Sequence, residues 1–143
     1  MAAASAAARG QRVLLLEKNK KLGVKILMSG GTRCNITHNC DVNAIVTAFG
    51  RQGKFLHSAL SALPPKEVIE KIESQGVATK IESTGKIFPV SNKAIDVRDA
   101  LVNLALTAGA QIKTEQPVLK IRKTGDKFQI DTRNDQFECN ALI

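Results

Sequence analysis

Arg12-Val-Leu-Leu-Leu-Glu17, followed after a short basic stretch by Lys25-Ile-Leu-Met-Ser-Gly-Gly-Thr-Arg-Cys-Asn35, decides how the rest of the chain is read. Val13 to Leu16 form an uninterrupted apolar run, the pattern of a strand enclosed on both faces of a parallel sheet, and Glu17 falls where that strand ends. In a doubly wound sheet, a carboxylate at the end of the second strand accepts the ribose hydroxyls of a dinucleotide. The second stretch reads as a loop. Gly30 and Gly31 remove side chains where backbone amides would approach an anionic or planar ligand, and Ser29, Arg33 and Asn35 add donors. Strand end and loop together read as half of a nucleotide-binding site, within residues 1–35.

Before the strand, Ala2 to Arg9 predicts a helix that stops at Gly10. Residues 36–110 read as a mostly helical excursion. Ala44 to Leu63 keeps helical spacing, split into two helices at Gly50 and Gly53, and Pro64-Pro65 ends it. A short helix follows from the second proline, with Val68, Ile69 and Ile72 inward and Gly76 as its cap. Val77 to Ile81 and Lys86 to Phe88 predict a small hairpin turning at Ser83-Thr-Gly85 and ended by Pro89. Asp96 to Ala108 predicts an amphipathic helix, with Val97, Leu101, Leu104 and Ala105 inward and Gly109 as stop. In residues 111–143, Gln111 to Thr114 supplies a further parallel strand, after which the period changes to two. Val118 to Arg122, Phe128 to Thr132 and Phe137 to Cys139 then form a three-stranded meander. The whole is expected to be one α/β domain.

With these motifs in place, the chain resembles a known family. Leu15-Leu-Glu-Lys-Asn-Lys-Lys-Leu-Gly23, the Lys25–Asn35 stretch and Gly85-Lys-Ile-Phe-Pro-Val-Ser91 are similar to the YhiN/BaiN-type NAD(P)/FAD-dependent oxidoreductases. The resemblance implies a Rossmann-like FAD-binding domain of the glutathione-reductase type, with FAD as cofactor and NAD(P)H as a candidate electron donor. It implies that Glu17 holds the adenosine ribose and that Lys18 and Lys25 help to neutralise the pyrophosphate. The loop of Ser29, Gly30, Gly31, Arg33, Cys34 and Asn35 would pass the ribityl chain and flavin ring, and Val118 would offer its backbone N–H and C=O to the adenine. Hydride chemistry would come from the flavin, and the residues themselves name no substrate and no catalytic acid or base.

Two departures accompany the agreement. The family's first strand and G-x-G-x-x-G turn, which cradle the pyrophosphate, have no counterpart among the 143 residues, so the resemblance implies an incomplete FAD domain covering about a third of a family member. Val24 and Thr32 stand where the family usually carries Arg and a third Gly. The competing expectation is therefore a non-catalytic remnant that binds no FAD, and the chain alone is expected to be inactive.

Composition narrows the remaining classes. No apolar run approaches the ~20 residues that cross a bilayer, and an Ala-rich, acid-free start weighs as a helix more heavily than as a transit peptide. Cys34, Cys40 and Cys139 form no C-x-x-C pair, which predicts free thiols and a cytoplasmic home; Cys34-His38-Cys40 matches no common zinc spacing. Cys34 lies beside Arg33, where a cation would favour thiolate, although a packed small thiol is the simpler reading. His57, among apolar neighbours, reads as a helix-surface or packed histidine. The net charge of +8 is concentrated in residues 1–54, which hold nine Lys or Arg against two acids. Lys18, Lys20, Lys21, Lys25 and Arg33 would give an anionic dinucleotide a positive field. A basic nucleic-acid-binding module is disfavoured, because the chain has no Trp, no Tyr and five scattered Phe to act as stacking platforms.

Overall fold

Alternating short strands and helices build the chain, and a computed structural model describes all of it from Met1 to Ile143. The residues fall into two compact units, Met1–Leu22 with Val102–Ile143, and Gly23–Leu101. No helix is long and apolar enough to cross a membrane.

In the first unit the Ala-rich start forms helix α1 (Ala2–Ala8), which ends at Arg9 before Gly10 in the left-handed region at φ 78°. Strand β1 (Leu14–Leu16) pairs in parallel with β5 (Gln111–Lys113), Leu15 opposite Ile112. The enclosure expected for β1 is not found: Leu14 is 37% exposed and Leu15 and Leu16 are half-buried. The sheet has two strands, so β1 is an edge, and an edge strand of three residues is enclosed only as far as its one neighbour and the packed helices reach. Its core is almost entirely alanine. Ala7, Ala105 and Ala110 are buried together, with Ala3, Ala4, Val13 and Ala108 packed around them.

The meander forms as its period-two pattern predicts. Strands β6 (Val118–Thr124), β7 (Lys127–Thr132) and β8 (Gln136–Cys139) run antiparallel in sequence order, with Ile121, Ile130 and Phe137 side by side. Ile130 is buried in the central strand, whereas β6 is exposed along its whole length. Val118, at the first position of that strand, is 44% exposed. The register shifts between Val118 and Lys120, so this edge strand is irregular where it starts.

In the second unit, helix α2 (Val24–Met28) leads into a 3-10 turn (Ser29–Thr32), and β2 (Thr37–His38) follows. Helices α3 (Val42–Ala48) and α4 (Gly53–Ala62) flank a second 3-10 turn at Gly50–Gln52, as the two glycines predict. Asp41 caps α3 by accepting from the Ala44 amide at 2.7 Å. Helix α5 (Pro65–Glu73) begins with proline at its first position, where a missing N–H costs nothing. Strands β3 (Thr79–Ile81) and β4 (Lys86–Pro89) form the expected hairpin, and β2 adds a third strand that the sequence had concealed. Pro89 sits inside β4, not beyond it. This is tolerated because β2 pairs only with Lys86 and Ile87, so the proline lies past the point where β4 needs donors on both sides.

The core of this unit gathers Cys34, Ile72, Ala94, Val97 and Ala100, with Ile26, Leu27, Ile36, Val68 and Val77 against them. Ala94, Val97 and Ala100 come from helix α6 (Ala94–Thr107), which starts two residues before the predicted Asp96. The division between the units falls within α6, whose later residue Ala105 belongs to the alanine core of the first unit.

Candidate functional site

The end of β1 places the first group of candidate residues. The Glu17 amide donates to Lys113 O at 2.9 Å, which extends the parallel pairing by one residue and holds Glu17 at the carboxyl end of the strand. Its Oε1 accepts from the Asn19 amide at 2.8 Å and from Asn19 Nδ2 at 2.7 Å, so the carboxylate organises the turn that leaves the strand. Both bonds fall on Oε1. A carboxylate has about four acceptor positions on its two oxygens, and Oε2 therefore keeps acceptor capacity for hydroxyls.

The start of the meander lies beside this turn. Gln116 N donates to Glu17 O at 2.9 Å, and Glu115 N donates to Asn19 O at 3.2 Å. Val118 follows two residues later, so Glu17, Lys18 and Val118 belong to one neighbourhood at the same end of the first unit, with Lys18 exposed. Thr132, the one buried polar residue of the chain, ties this neighbourhood down: its hydroxyl is 2.6 Å from Gln116 Oε1, and the Gln116 amide donates to Asp135 Oδ2 at 2.7 Å.

The remaining candidates lie in the second unit. Lys25 is exposed on α2. The turn that follows is built almost wholly of left-handed backbone: Gly30 at φ 55°, Gly31 at 64°, Thr32 at 70° and Cys34 at 62°. The two glycines differ. A Cβ on Gly30 would stand 2.9 Å from the Asn35 backbone nitrogen, so this glycine lets the loop close on itself, whereas a Cβ on Gly31 would meet nothing within 4 Å. Of the two, open space beside the backbone is found at Gly31.

The loop's polar side chains are engaged within the unit. Ser29 Oγ donates to Ile26 O at 2.8 Å. Arg33 forms an ion pair with Glu82, donates from Nε to Asn92 Oδ1 at 3.2 Å and lies over the Phe88 ring at 4.2 Å. The Asn35 amide, in the orientation that satisfies both of its ends, donates to Thr37 O at 2.9 Å and Ile87 O at 3.3 Å. Arg33 thus latches the loop to the β3–β4 hairpin. The sequence offered no sign of this, because Glu82 is 49 residues away.

Cys34 is buried in the core beside Ile72 and Val97. Burial raises its thiol pKa above the ordinary value, and a hydrogen bond with the Ser29 side chain opposes this with a smaller effect. The group is therefore a protonated, packed thiol near neutral pH, as the simpler reading expected. His57 is exposed on α4, with Nδ1 3.4 Å from Ser61 Oγ one turn on.

Thr32 carries a testable cost. A β-branched residue in the left-handed region is disfavoured by about 1–2 kcal/mol, while glycine loses about 0.5–1 kcal/mol more chain entropy on folding. The strain outweighs the entropy. Thr32→Gly is expected to raise stability by about 0.5 kcal/mol or slightly more, read as a higher denaturation midpoint in urea; a lower midpoint would show that Thr32 makes a compensating contact.

A family model described as the HI0933-like protein Rossmann domain matches residues 1–143. Ribosomal RNA dihydrouridine synthase of Escherichia coli K12 is 30% identical over 135 residues, covering 94% of this chain and 33% of that protein. The 3-dehydro-bile acid delta(4,6)-reductase of Clostridium scindens is 29% identical over 145 residues, covering 99% of this chain and 34% of that protein. The chain spans about a third of the length of these curated relatives. Among solved structures, Thermovibrio ammonificans THI4 matches with a TM-score of 0.56 at 12% identity, over 96% of this chain and 48% of the other, a likeness of fold alone.

Proposed function

We propose, since this chain belongs to the HI0933-like Rossmann-domain family, that it binds FAD and serves a flavin-dependent oxidoreductase reaction, with NAD(P)H as electron donor. The observation that carries the reading is the neighbourhood at the end of β1. A carboxylate with free acceptor capacity at a parallel strand's carboxyl end fits ribose hydroxyls, and the meander start, held to it through Gln116 and Glu17, offers backbone groups at Val118 for an adenine edge. Lys18 would neutralise pyrophosphate charge beside it.

In the second unit, Lys25 and the open backbone at Gly31 are by their own chemistry suited to an anionic group and to a closely approaching one. Arg33 and Asn35 would act by holding the loop's shape, since their own bonds are directed at Glu82, Asn92, Thr37 and Ile87. Bound FAD would supply hydride and electron transfer, and these residues would bind and orient it. Three free thiols fit a reducing compartment, and we assign the chain to the cytoplasm on that ground.

Titration of the 143-residue chain with FAD, followed by flavin fluorescence, tests the reading. Binding is expected to be weak, because no glycine-rich pyrophosphate turn is present among these residues. Glu17→Gln is expected to weaken it by about tenfold or more, the cost of removing a charged acceptor from a hydroxyl. FAD that leaves the fluorescence unchanged at high concentration, or that binds the Gln variant equally well, would overturn the assignment to these residues.

A further inference from the structure

Helices α3 and α4 pack on each other, and neither contributes a side chain to the buried hydrophobic core of its unit. The ends of the two helices that flank the turn between them carry two aromatic rings into solvent: Phe49, at the end of α3, is 60% exposed and Phe55, in the first turn of α4, is 90% exposed. A phenylalanine left this open forgoes much of the stabilisation its burial would give. Both rings line one hollow of about 450 Å³, together with Arg51, Gln52 and Leu56. No acidic residue occurs between Asp41 and Glu67, while Arg51, Lys54 and Lys66 do.

We propose that this hollow is a docking surface for single-stranded nucleic acid, the Phe49 and Phe55 rings stacking on bases and Arg51 and Lys54 pairing with the backbone phosphates. The surface and such a strand are complementary in each respect. An exposed ring stacks on any base because every base has a flat π-face, a guanidinium or ammonium meets a phosphate, and an acid-free segment imposes no repulsion on a polyanion. Gln52 adds an amide able to donate and accept at a base edge. A membrane surface fits less well. Interfacial helices present a continuous apolar face, whereas here Leu56 and Leu60 are half-buried and the two exposed rings stand on either side of a polar turn. The small number of aromatics in the sequence argues against nucleic acid; their placement reverses the inference, since two of five Phe meet at one basic turn.

The surface is independent of the flavin reading, and its test keeps the two apart. Anisotropy of a labelled oligouridine or oligothymidine about a dozen nucleotides long would be followed against the full chain. Phe49→Ala and Phe55→Ala are each expected to weaken binding about fivefold or more, and Phe55→Leu, which keeps apolar area but no ring, should lose as much as Phe55→Ala. Arg51→Gln with Lys54→Gln should flatten the dependence of log affinity on log salt by about 1.4. Unchanged circular dichroism and FAD affinity in the Phe variants would accompany this result. Uridine and thymidine strands distinguish RNA from DNA as the ligand, and preference for either supports the surface. The proposal is overturned by no binding at low salt, by binding that ignores both rings, or by ring-dependent binding seen only with anionic phosphatidylserine vesicles.

Discussion

Gly53→Ala is expected to cost about 3 kcal/mol and to pull α3 and α4 apart. A Cβ at Gly53 would lie 1.8 Å from Val46 O, 2.7 Å from Val46 C and 3.1 Å from Val46 Cα. These are backbone atoms of the facing helix, so no rotamer change relieves the overlap, and the helices must separate. Gly50 provides the internal control. It has φ 60° but nothing within 4 Å of an added methyl, so Gly50→Ala is strained by conformation alone, at about 1 kcal/mol. Urea denaturation of both variants, with amide exchange read over Val42–Ala62, checks the contrast. Equal costs at the two glycines would mean that the close approach at Val46 is not what holds the pair.

Gly30→Ala is the second large effect, expected at about 2 kcal/mol. The residue combines left-handed backbone at φ 55° with a Cβ position 2.9 Å from Asn35 N and 3.4 Å from the Phe88 ring. The loop closes across this point, with the Arg33 amide donating to Gly30 O at 3.2 Å and the Cys34 amide to Ser29 O at 3.3 Å. Displacing Asn35 would also disturb its bonds toward β2 and β4. Gly31→Ala carries the backbone strain without the overlap, about 1 kcal/mol. If the cofactor reading holds, the ranking inverts in part: Gly31→Ala should weaken FAD binding more than its small stability loss accounts for. A Gly30 variant as stable as the Gly31 variant would remove the distinction drawn between them.

Much of this architecture was legible because it is written locally. Gly10, Gly76 and Gly109 end helices, Pro65 starts one, and the period-two run after Pro117 forms its meander. Glu17 at the end of β1 was legible for the same reason, as a carboxylate directly after an apolar run. What escaped was non-local. Strand β2 has two residues and exists because Thr37 and His38 find Ile87 and Lys86, pairing that no two-residue pattern announces. The engagement of Arg33 by Glu82 and Phe88 escaped likewise, and with it the difference between a donor offered to a ligand and one that braces its own loop. Exposure of β6 and of the two α3–α4 rings follows from which strands and helices have neighbours, information that hydrophobicity along the chain does not hold.

The alanine core of the first unit has a consequence for how that part of the protein can change. A methyl group brings little apolar area, so Ala7 on α1, Ala105 on α6 and Ala110 just before β5 hold together by nearness rather than by interlocking bulk. Larger residues would add bulk to a buried contact, and there are no methylenes to trim. Mutational drift along this seam is thereby confined to the smallest side chains, Gly, Ala and Ser, and any larger replacement must be matched by a simultaneous change across the contact.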